Sequence, residues 1–156
     1  YYYIKYWLFD KKCNKFKYIL KLHTKNNKIW RNELISPFLL KSNNYLLKII
    51  KKKNIGMIGK KKYLFNDQNF CKNILNKIFS KKQFKNSEYV GGSIFMCKKI
   101  VFDTSIYLFS KYMKQMYIMI FYYDNILFKD TSLRDSMERI FGINNKYLNL
   151  NIIGIE

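Results

Sequence analysis

His23 and Lys25 stand at the end of an apolar run, and Arg31 follows inside the next helical stretch. An imidazole, an ammonium and a guanidinium gathered at one strand-to-helix junction could hold a diphosphate. Helix starts and cationic side chains both favour phosphate oxygens. The plainer alternative is a solvated basic edge. A second set comes late in the chain: the carboxylates Asp130 and Glu138, with Arg139 beside the latter. A carboxylate at the lip of a cleft can act as a general base or anchor a sugar hydroxyl. Spacing alone favours a plainer role, in which Asp130 caps a helix and Asp135 pairs with Arg139 on its surface. Between the two sets, Gly91-Gly92-Ser93 carries no reactive group but permits close backbone approach by a neighbour or a ligand. Nothing in the chain matches a P-loop, a dinucleotide fingerprint, a catalytic triad or an HExxH site.

Positioning these residues requires strands and helices in alternation. Residues 16–22 read as a strand, ending at the only histidine. Residues 29–41 read as a helix, with Trp30, Leu34 and Phe38 on one face and Pro37 set to kink or shorten it. A second amphipathic helix covers 44–52, with Tyr45, Leu46, Ile49 and Ile50 inward. Residues 54–59 form a short glycine-bounded central strand, followed by a lysine-rich loop over 60–66. A helix capped by Asp67 runs to about Phe79, and 80–87 are polar loop. Tyr89–Cys97 read as a Gly-Gly bend leading into a strand. The stretch 101–123 is expected to hold a helix over 103–113 and a strand around 117–122. The last clear element is a helix from Asp130, closed by Gly142 as its C′ residue. Residues 1–9 are a strand or a short helix, and 10–14 a turn. This alternation predicts an α/β fold, a mixed sheet flanked by helices.

The chain has 156 residues, 49% of them hydrophobic, enough for one domain with a real core. Its formal net charge is +20, which alone would suggest a polyanion partner. Of the 30 basic residues only Arg31, Arg134 and Arg139 are arginine, leaving 27 lysines. Lys, Asn, Ile, Tyr and Phe run high together, as AT-rich coding produces, so the charge is discounted as a functional signal. The three arginines, able to make bidentate contacts, carry more information. Cys13, Cys71 and Cys97 form no close pair, which suits reduced thiols and gives no zinc site. The most apolar stretch, 116–128, is interrupted by Asp124 and Asn125 and falls short of a membrane span. The expected setting is cytoplasmic, with peripheral association at the cytoplasmic face of a membrane as a variant.

Four blocks of the chain resemble the rhamnan synthesis protein F family. Leu20–Lys25 with Trp30–Leu34 resembles its LKxHTKxS…WRxxLL signature, and Asn54–Gly59 is similar to its RLGMVG strand. Tyr89–Lys98 resembles its F-x-A/G-G-S/T-M-F-W-x-R segment. Asp130–Gly142 resembles its DGTLAHAIERLFG helix, with Thr131 in place of the Gly and Asp135 in place of the His. The blocks occur in the family's order over about residues 18–143.

The resemblance implies a GT-A-like glycosyltransferase domain that moves a sugar, rhamnose in that family, from a nucleotide-sugar donor to a growing polysaccharide. It further implies that nucleotide-binding strands lie upstream of Tyr1, making this chain the C-terminal portion of a larger catalytic domain. His23, Lys25 and Arg31 would face the donor diphosphate. Asp130 and Glu138 would be the catalytic carboxylates, and Gly91, Gly92, Ser93 and Arg139 would line the acceptor cleft. GT-A enzymes usually end the strand equivalent to 16–22 in Asp-x-Asp, which holds a divalent metal. Here the strand ends in His23-Thr24-Lys25, so no metal site is assigned, and cationic side chains would stabilise the leaving diphosphate instead. The donor, with dTDP-rhamnose the first candidate, and the glycan acceptor are the expected ligands. The competing expectations are a non-catalytic basic module for nucleic acid or another polyanion, and a transferase remnant without activity.

Overall fold

A computed structural model describes residues 15–22, 27–66, 87–120 and 132–156, with side chains for all of these except 93, 109, 110, 112–120 and 132–137. In chain order the elements are β1 (Tyr18–Lys21), α1 (Lys28–Leu40), α2 (Asn43–Ile50), β2 (Ile55–Lys60), β3 (Leu64–Phe65), β4 (Tyr89–Val90), β5 (Phe95–Lys98), α3 (Lys99–Ile120), α4 (Ser132–Tyr147) and β6 (Asn151–Ile155). The expected segments over 1–14 and 67–79 lie outside the described residues.

Four strands form one sheet in the order β1-β5-β2-β6, and β3 pairs with β4 in a separate two-stranded ribbon. β5 runs antiparallel to both β1 and β2, while β2 and β6 are parallel. The sheet is therefore mixed and the fold α/β, with helices on both faces. One face packs Met57, Phe95, Cys97 and Ile19 against Val101 and Ile106 of α3 and Phe141 of α4. The other packs Ile55, Ile58, Ile94 and Ile155 against Leu34 and Phe38 of α1 and Leu46 and Ile50 of α2. β2 is buried along nearly all of its length, as a strand covered on both sides must be. A register shift between Ile55 and Met57 lets Ile55 and Ile58 share one face despite their odd spacing.

Local chemistry explains the helix boundaries. Asn27 caps α1, its side chain accepting from the Trp30 amide at 3.0 Å, and Ser42 caps α2 through the Tyr45 amide at 3.2 Å. Pro37 lies inside α1 and is buried. It has no amide hydrogen to offer the Glu33 carbonyl, and the Ser36 hydroxyl donates to that carbonyl instead at 2.9 Å. Asn27→Ala should cost about 1 kcal/mol of stability, read as a lowered urea midpoint.

Four sequence expectations are corrected. The loop expected over 60–66 contains strand β3, which pairs with β4 through Leu64 and Phe65. α3 is a single helix through Ile120, so residues 117–120 are not a strand. Once a helix is nucleated, each further residue gains one hydrogen bond, which outweighs the weak strand preference of a Tyr-Ile-Met-Ile run. Gly142 does not end α4 but sits within it. The C′ role falls to Asn149, in the left-handed region at φ 54°. The Leu150 amide donates to the Asn145 carbonyl at 3.0 Å and the Asn149 amide to the Lys146 carbonyl at 2.9 Å, completing a Schellman motif. Tyr45 is 44% exposed rather than inward.

Candidate functional site

Register places the ends of the strands. Lys21 stands opposite Phe95, Ile58 opposite Met96, and Lys60 opposite Ile155. The carboxyl ends of β1, β2 and β6 and the start of β5 therefore share one edge of the sheet. The turns at Lys61–Tyr63 and Gly91–Ser93 lie at that edge, which is where open α/β sheets bind ligands.

The segment Glu88–Gly92 is where Gly59, Gly91, Gly92, Gly142 and Arg139 make close contacts. Gly92, at φ 83°, lies so close to α1 that an added Cβ would stand 2.5 Å from Leu34 Cδ1. A Cβ on Gly91 would meet the Phe65 ring at 2.6 Å, and one on Gly59 would meet Val90 at 2.5 Å. From the opposite side α4 presses Gly142 onto the Glu88 carbonyl and the Tyr89 side chain. One helical turn earlier, Arg139 lays its guanidinium over the Tyr89 ring, 4.4 Å from the centroid. Tyr89 starts a chain of rings: Phe65 at 5.7 Å, then Tyr63 at 6.5 Å, then Trp30 at 6.3 Å.

Glu33, the only acidic residue between Asp10 and Asp67, binds this chain from α1. It accepts from the Tyr63 hydroxyl and from Lys62 Nζ at 3.0 and 3.2 Å. The hydrogen bond from Tyr63, followed by that from Lys62, holds the Glu33 carboxyl below its ordinary range. The same bond raises the Tyr63 phenol above its own. A depressed carboxyl stabilises the fold above its unfolded pKa and loses that contribution as pH falls through the folded value. Glu33→Gln should therefore flatten the acid limb of a stability–pH curve, measured as urea midpoints at stepwise lower pH. Sequence reading assigned no role to Glu33, Tyr63 or Tyr89. The signal for Glu33 was its isolation among lysines; for the two tyrosines, among 14 in the chain, there was none.

The structure treats the sequence-derived candidates unequally. Gly91, Gly92, Glu138 and Arg139 are all buried, Gly91 and Gly92 directly after β4 and Arg139 of α4 against Tyr89 of β4. Arg31 is half-buried in the first turns of α1, beside Trp30 of the ring chain. His23, Lys25 and Asp130 lie outside the described residues, as does the Ser93 side chain. Among the described residues no group of three or more His, Cys, Asp or Glu could hold a metal ion, and no helix is long and apolar enough to cross a membrane.

Cys97, in the centre of β5, is fully buried. Burial, with the nearby Asp103 carboxylate adding to it, pushes its thiol far above the ordinary range. Alkylation of Cys97, followed by peptide mapping, should proceed only at the rate of global unfolding.

No family model, curated protein or solved structure matches this chain.

Proposed function

We propose that the chain is a GT-A-like glycosyltransferase domain of the rhamnan-synthesis kind, moving a sugar from a nucleotide-sugar donor to a glycan acceptor. The observation that carries this reading is the meeting of the first, second and fourth resembling blocks on the start of the third, residues 88–92. Leu34 of the first block packs on Gly92, Gly59 of the second on Val90, and Arg139 and Gly142 of the fourth on Tyr89 and Glu88. The Gly91–Ser93 turn that follows these contacts lies at the sheet edge suited to ligands.

In this reading His23, Lys25 and Arg31 bind the donor diphosphate at the carboxyl end of β1, where cationic groups stabilise the charge that develops on the leaving phosphate. Asp130 takes the proton of the acceptor hydroxyl as it attacks the anomeric carbon. Glu138 and Arg139 support Asp130 in that role, Arg139 by holding α4 on β4 through Tyr89. Gly91–Ser93 set the shape of that cleft.

Isothermal titration of dTDP-rhamnose and other nucleotide sugars into the intact protein tests the donor site. Saturable binding weakened roughly tenfold by Arg31→Ala is expected, together with transfer reduced about a hundredfold or more by Asp130→Ala. Absence of binding would overturn the reading. So would transfer unchanged in both His23→Ala and Asp130→Ala.

A further inference from the structure

A groove of about 590 Å³ runs between α2 and the edge strand β6. Lys41, Tyr45, Lys48 and Lys52 make one stripe along its wall, Tyr45 and Lys48 from α2 itself and Lys41 and Lys52 from the residues that flank it. The floor is apolar, formed by Ile49, Ile153 and Ile155 among others. Lys41 holds its ammonium over the Tyr45 ring at 5.8 Å. The acidic side chain lining the groove is that of Glu156, which is engaged by Lys61 at 3.2 Å. Among the described residues Lys41, Lys48 and Lys52 have no acidic partner. Immediately before this stripe, Leu39 and Leu40 close α1 with 71% and 81% of their surface exposed. Two leucines at a helix corner, next to a lysine-walled groove with an apolar floor, form an amphipathic edge.

We propose that the α1–α2 corner docks on the surface of a phospholipid membrane rich in anionic headgroups. Leu39 and Leu40 enter the acyl boundary, while Lys41, Lys48 and Lys52 meet lipid phosphates along the groove. Charge complementarity selects an anionic surface, and the leucines select a lipid one. Each lysine near such a surface adds attraction that acts within a Debye length, and leucines supply the apolar contact. A single-stranded nucleic acid would leave both leucines in water and would find only one stacking ring, Tyr45, along the stripe, where sequence-tolerant grooves offer several. This inference does not depend on the transferase reading, because its test contains no sugar donor.

Co-sedimentation of the full chain with phosphatidylcholine vesicles, with and without phosphatidylglycerol, measures the docking. Binding to the anionic vesicles is expected, falling about tenfold or more in Lys48→Glu/Lys52→Glu. Lys17→Glu/Lys111→Glu removes the same charge from exposed positions elsewhere and should change binding by about twofold at most. Leu39→Ser/Leu40→Ser should also weaken binding about tenfold without altering charge or, at such exposed positions, the thermal midpoint. The proposal is overturned by equal losses in the two charge-reversal pairs, by undiminished binding of the leucine variant, or by no vesicle binding. A single-stranded oligonucleotide that displaces the vesicles through the same lysines would overturn it as well.

Discussion

Gly142→Ala is expected to destabilise the protein by about 2–3 kcal/mol, although alanine is the better helix former. In an exposed helix the same change would gain about 1 kcal/mol. Here the new methyl group would lie on the Glu88 carbonyl oxygen and stand 2.7 Å from Tyr89 Cβ. The obstacle is backbone, not the far end of a flexible side chain, so relief requires α4 to move away from β4. That movement would strain the Arg139–Tyr89 contact and the Phe141 packing on Phe95, whose rings lie 4.8 Å apart. Urea unfolding checks it, through a midpoint lowered at constant slope. A raised midpoint, as propensity alone dictates, would mean that α4 does not pack on Glu88.

Gly92→Ala is expected to cost about 3 kcal/mol from two sources that can be separated. The residue has φ 83°, and an L side chain there costs about 1–2 kcal/mol. Overpacking against Leu34, itself fully buried, adds about 1–3 kcal/mol. Leu34→Ala alone removes a core side chain and should cost about 2–5 kcal/mol. The double variant should cost less than the sum of the two by about 1 kcal/mol or more, because alanine at 34 vacates the space the new methyl needs. The φ strain remains in both backgrounds. Strict additivity in this double-mutant cycle would show that Gly92 and Leu34 are not in contact, and would remove one of the four contacts on which the proposed site rests.

Much of the scaffold was legible in the residues. The spacing of Trp30, Leu34 and Phe38 marks α1, which runs from Lys28 to Leu40. The glycine-bounded run at 54–59 marks β2, which lies in the interior of the sheet. These signals are local: side-chain period follows backbone period, and a cap reports the orphan amides it satisfies. β6 lies outside every element that the residue pattern marks. Its five residues are too short for a periodic signal, and only the parallel pairing with β2 makes them a strand. Gly142 illustrates a different failure. A glycine late in a helical pattern looks like a C′ residue, yet the left-handed position is taken by Asn149 and Gly142 answers to the carbonyl of Glu88. Sequence shows that a side chain is missing at such a place but not what fills the space.

The same division holds for the site. By itself the sequence determined an α/β alternation, a strand before His23, and the residue types available for chemistry. These are consequences of local periodicity and of side-chain identity. Only the tertiary structure decided that Leu34, Gly59, Arg139 and Gly142 all converge on Glu88–Gly92, and that Glu33 is held by Tyr63 and Lys62. The physical reason is that each contact joins segments far apart in the chain. Their proximity follows from how the sheet pairs and how the helices cover its two faces, and no single stretch of sequence encodes that.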